Sequence, residues 1–141
     1  MRLLEVLNNP LPYKIREDEN GNFVAAFDAH QREYLVTIEE IDDGNWTADM
    51  TNEETGIELM HSGENALRVL ATVIAIIRAF MREHDKDIQR LGITSRDEST
   101  NSLYTSVLKH EALPAGWHSS VSSVTGGESI LLINDNYKKT L

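Results

Sequence analysis

The segment from residue 64 to residue 84 constrains the fold more than any other. Apolar residues at 66, 67, 69, 70, 71, 73, 74, 76, 77, 80 and 81 leave Arg68, Thr72, Ala75, Ala79, Arg82 and Lys86 along a single stripe. That stripe advances by 4, 3, 4, 3 and 4 residues, the spacing of one face of an α-helix. So narrow a polar stripe predicts a helix covered around most of its circumference, lying on a sheet and flanked by another element or by a second subunit. A homodimer is therefore one expected arrangement. A helix lying on a membrane surface would need a broad basic face, which this one lacks. Thr72 and Arg78 interrupt the apolar run, which argues against a membrane span.

Strand and turn signals alternate around this helix. After the breaks at Pro10 and Pro12, a short edge strand is expected at 13–16, followed by strands at 23–28, 33–41 and 46–51. Turn-forming clusters separate them, and Gly44 is suited to the positive φ that a tight turn demands. Beyond the helix, 88–94 reads as a strand. A second helix is expected at roughly 99–111, where Leu103, Tyr104, Val107 and Leu108 share one face. A hairpin at 117–124 and 128–133 closes the chain around Thr125-Gly126-Gly127. The expected fold class is α+β: an antiparallel-rich mixed sheet with two main helices in the order β-β-β-β-α-β-α-β-β, forming a single domain over 1–141. A chain of that length buries enough surface to fold without disulfides or metals.

Charge narrows the function classes. The net charge is −10, and residues 1–64 hold 15 of the 23 acidic residues but only 4 of the 13 basic ones. Binding to nucleic-acid backbones rests on Lys and Arg displacing counterions, so direct nucleic-acid binding is not expected. The absence of cysteine removes disulfides, thiolate metal sites and cysteine nucleophiles, and fits a reducing cytoplasm. The first eight residues carry too short an apolar run for a signal peptide, so a cytoplasmic location is expected, in a host cell or a virion if the chain is phage-encoded. Asp42-Asp43-Gly44-Asn45 lacks the alternating oxygen ligands and distal Glu of a calcium loop. The five histidines form no zinc-binding pair in sequence, so no metal is assigned.

The element order, together with Asn101-Ser102-Leu103-Tyr104 after a strand and Gly63-Glu64-Asn65-Ala66-Leu67 opening the long helix, resembles the GNAT superfamily of acyl-CoA-dependent N-acyltransferases. It is similar in particular to small members commonly encoded by bacteriophages. The resemblance covers about residues 22–134. It implies acetyl-CoA or another acyl-CoA as cofactor, with Gly63, Asn65 and Ala66 at the pyrophosphate loop. It further implies Tyr104 as the group protonating the departing thiolate, and Asp49 or Glu58 as the base that accepts a proton from an amine.

In that superfamily the loop presents backbone N–H groups and a helix N-terminus to the pyrophosphate. Here Met60-His61-Ser62-Gly63-Glu64-Asn65-Ala66 lacks the leading Gln or Arg, and Glu64 puts a carboxylate where a second anion would sit. The sequence thus favours a non-catalytic or degenerate GNAT-like protein acting through protein contacts, as a phage accessory, virion or host-interaction factor. An acetyl-CoA-dependent N-acetyltransferase and an acidic DNA-mimic inhibitor are the alternatives.

Overall fold

A computed structural model describes residues 10–29, 32–52, 64–94, 113–124 and 127–137. They form seven strands and one helix: β1 Lys14–Glu17, β2 Phe23–Ala29, β3 Arg32–Asp42, β4 Asn45–Asn52, α1 Glu64–Glu83, β5 Arg90–Thr94, β6 Trp117–Val124 and β7 Gly127–Asn134. The strands make a single sheet in the order β1-β2-β3-β4-β5-β7-β6. All neighbours are antiparallel except β4 and β5. A parallel pair requires a crossover from one end of the sheet to the other, and α1 lies within that connection.

The expected fold class is corrected here. In place of a sheet with two main helices, the described residues form a predominantly β architecture with a single helix. The second helix, expected at 99–111, falls outside the described residues. The sheet dominates because strand-forming segments bounded by turns recur seven times among the described residues, whereas a helical period is sustained only across α1. The strand positions and the long helix lie within about two residues of where the sequence puts them.

Strand alternation explains the core. Tyr34, Val36 and Ile38 of β3, Ala25 and Phe27 of β2, Trp46 and Ala48 of β4, Leu91 and Ile93 of β5, and Ile130 and Leu132 of β7 are all buried. They project from one face of the sheet, as the period of two demands. Against that face packs α1, whose Val69, Leu70, Val73, Ile74, Ile76, Ile77, Phe80 and Met81 are buried. Leu11, Tyr13 and Leu113 pack on the same core from outside the sheet. Thr72, on the polar stripe, is fully buried because its Oγ1 accepts a hydrogen bond from the backbone N–H of Leu11 (2.8 Å) and donates to the carbonyl of Arg68 (2.7 Å). The segment before β1 is thus tied to α1, which accounts for part of the helix's all-round coverage.

The β1 edge of the sheet is blunted. β1 is four residues long and exposed throughout, with Lys14, Arg16 and Glu17 flanking or following Ile15. Short, charged edge strands discourage pairing with other chains.

Candidate functional site

The inner face of the sheet runs on beyond the end of α1, and the site lies there. Glu17 pairs with Phe23, Phe23 with Ile38, and Glu40 with Trp46, so these residues continue the inward-facing rows past the apolar core. The helix ends at Glu83 and cannot cover them. An open cleft of about 440 Å³ results, floored by Phe23 and Trp46, bounded by His84, Lys86 and Asp87 from the helix exit and by Tyr137, and rimmed by Glu17, Glu40 and Asp43.

The floor is a packed aromatic cluster. The Phe80 ring meets Phe23 and Trp46 edge-on, with centroids 5.1 and 5.4 Å apart, and His84 lies 4.7 Å from Phe23 and 4.6 Å from Phe80. Offset and edge-to-face pairs of this kind are favourable beyond their buried area. The indole N–H of Trp46 donates to the carbonyl of Asp87 (3.3 Å), fixing the ring against the helix exit.

Two turns shape the rim. A bulge between Glu40 and Asp42 leaves Ile41 turned outward and 69% exposed. Glu40 Oε2 then accepts from the backbone N–H of Gly44 (3.4 Å). Gly44 has a φ of 81°, and its carbonyl accepts from both Gln89 (2.7 Å) and Arg90 (3.0 Å), which joins the β3–β4 turn to the start of β5. A side chain there would press on Gln89 and on the Tyr137 ring at 3.1 Å. The β1–β2 turn is held beside it, since Asn22 Oδ1 accepts from the backbone N–H of Glu40 (3.1 Å). Asp18 stabilises that turn in its own right by accepting from Asn20 and Asn22.

One pole of the molecule therefore gathers Glu17, Asp18 and Glu19 from the first turn and Glu39, Glu40, Asp42 and Asp43 from the second. The carboxyl end of α1 points to the same pole. Aligned peptide dipoles put roughly half a negative charge at that end, reinforcing the field of the carboxylates. Among the described residues, Glu17, Glu40 and Asp43 have no salt-bridge partner within 4.0 Å, while His84 and Asp87 approach to 3.8 Å. Nor does any group of three His, Asp or Glu side chains among the described residues converge to hold a metal ion. No helix among them is long and apolar enough to cross a membrane.

A polar network braces the cleft from behind. Asn134, 3% exposed, donates its side-chain amide to the carbonyls of Asp85 (2.6 Å) and Ile88 (2.8 Å), and its Oδ1 accepts from the backbone N–H of Asn136 (2.9 Å). Asp85 Oδ1 accepts from the buried Trp117 indole (2.8 Å). The helix exit that forms one wall is thus anchored to β6 and β7.

Of the residues marked out by the acyltransferase resemblance, the described ones, Asp49, Asn65 and Ala66, lie elsewhere. Asp49 is exposed on β4, in register with Thr37 of β3 and Thr94 of β5, toward the carboxyl ends of the parallel pair. Asn65 and Ala66 occupy the first turn of α1. Tyr104, Glu58 and Gly63 fall outside the described residues. Asp49, Asn65 and Ala66 are not brought to the acidic cleft, which sits where β4 and β5 begin. Comparisons with protein-family models, with curated proteins and with solved structures returned no match.

The sequence had already located the acidity in the first half of the chain. It did not reveal the cleft, whose walls come from segments more than a hundred residues apart. Alternation alone offered a signal: Glu40 stands two residues after Ile38 in the inward-facing series, a charged residue at a position of core parity.

Proposed function

We propose that the protein is non-catalytic and acts through protein contacts, in the manner of a phage accessory, virion or host-interaction factor, with its acidic pole as the contact surface. The observation that carries this reading is the stacking of the two hairpin turns beside the carboxyl end of α1, through the Glu40–Asn22 hydrogen bond. Seven carboxylates from two turns and the strand ends beside them gather there, namely those of Glu17, Asp18, Glu19, Glu39, Glu40, Asp42 and Asp43. Such a concentration of one sign steers a basic partner into encounter and fixes its orientation. A mimic of DNA would call for carboxylates strung along a ridge, whereas these gather at one end.

An acetyl-CoA-dependent N-acetyltransferase remains the alternative, and Asp49 near the carboxyl ends of β4 and β5 is what favours it, since open sheets containing parallel strands bind ligands at those ends. Calorimetric titration with acetyl-CoA and coenzyme A up to millimolar concentration separates the two. The non-catalytic reading expects no saturable heat and no acetyl transfer to amines. Saturable binding accompanied by transfer would overturn it in favour of the enzyme.

A further inference from the structure

Resting on the reading of the acidic pole as a protein-contact surface, we propose that the cleft beyond the end of α1 is the seat of an arginine side chain presented by a basic segment of the partner. Glu17, Glu40, Asp43 and Asp87 border an aromatic floor made by the half-buried Phe23, backed by Trp46, which is 8% exposed. Each part selects against a different occupant. The carboxylates and the helix carboxyl end repel anions. A metal ion needs ligands converging on a point, and among the described residues no three such side chains do so.

A guanidinium satisfies both parts at once. It is flat and weakly hydrated, so it stacks on ring faces, and its five N–H donors lie in the ring-parallel plane that reaches carboxylates around a rim. Charge-assisted bonds of this type are stronger than neutral ones, and Arg forms them with two oxygens at a time. At about 440 Å³ the cleft exceeds one side chain and has room for the adjoining peptide backbone. Lys86, on the lining, is exposed and carries a long flexible stem that can turn to solvent when a second cation enters.

The test uses the ¹⁵N-labelled protein and two glycine-flanked peptides, one with two arginines and the other with citrulline in their place. Citrulline keeps the shape and removes the charge. The chain has two tryptophans, so Trp117→Phe assigns the indole signals. Saturable shifts of the Trp46 indole N–H and of the Gly44 amide are expected with the arginine peptide and not with the citrulline peptide. Glu40→Gln combined with Asp43→Asn should weaken binding roughly fivefold or more, because two charge pairs are lost. Equal shifts with both peptides, or no saturable shift with the arginine peptide, would overturn the proposal. That failure removes the cleft as the docking place and leaves the protein-contact reading standing, whereas acetyl transfer removes the reading itself.

Discussion

Asn134, the last residue of β7, donates its side-chain amide to the backbone carbonyl of Asp85, 49 residues earlier, at 2.6 Å. This link holds the exit of α1 against the closing hairpin and so sets one wall of the cleft. Its partners are main-chain carbonyls in a site with almost no solvent, where an unsatisfied acceptor carries its full desolvation cost.

Replacing Asn134 with Ala should therefore destabilise the fold by about 2–4 kcal/mol, the loss of two buried hydrogen bonds and the orphaning of two carbonyls. Asn134→Asp should be at least as damaging, because a carboxylate would face the same carbonyls. Urea unfolding followed by circular dichroism measures both. A loss below about 0.5 kcal/mol, the range of ordinary surface substitutions, would mean that the network does not brace the fold.

Thr72→Val keeps the shape of the buried side chain and deletes its hydroxyl. The backbone N–H of Leu11 loses its acceptor, so stability should fall by about 1–2 kcal/mol. Amide hydrogen exchange at Leu11 should speed up by more than exchange within β7. Uniform acceleration across the chain would instead indicate a global loss of stability with no local tether.

Phe80 is 1% exposed and touches Phe23, Trp46 and His84. Truncation to Ala should cost about 3–5 kcal/mol, the usual range for a buried aromatic. Because Phe80 supports the floor of the cleft, the Trp46 fluorescence maximum should also move to longer wavelength as water enters. An unchanged maximum in the folded variant would show that the floor does not depend on Phe80.

Gly116 adopts a φ of 87°, and a Cβ there would collide with the Asn136 amide. Gly116→Ala should destabilise by about 1–3 kcal/mol, combining the left-handed backbone with displacement of Asn136 from the Ala115 carbonyl. A thermal midpoint unchanged from that of the parent protein would contradict this.

Local pattern carried most of the fold into view. The stripe from Arg68 to Lys86 marks α1 because a helix of 20 residues leaves a long periodic trace. Tyr34, Val36 and Ile38 mark β3 by alternation, and Gly44 marks its turn by needing positive φ. The stretch around Tyr104 carries a much shorter periodic trace, and it lies outside the described residues. Tertiary relationships leave no such trace. Asn134 and Asp85 are ordinary surface-type residues in sequence, and only the sheet order β5-β7-β6 brings them together. The cleft is hidden for the same reason: Glu17, Asp43, Asp87 and Tyr137 belong to four separate segments, joined by the bulge after Glu40 and by the place where α1 happens to stop.

The most direct test of the acidic pole as the working surface is a single chemical-shift map of the ¹⁵N-labelled protein, recorded with the arginine peptide and then with acetyl-CoA. Perturbations at Phe23, Asp43, Gly44 and Trp46 with the peptide, weakening as salt is raised and accompanied by none with acetyl-CoA, are the predicted result. Perturbations at Asp49, Thr94 and the first turn of α1 with acetyl-CoA, and a silent cleft with the peptide, would contradict it.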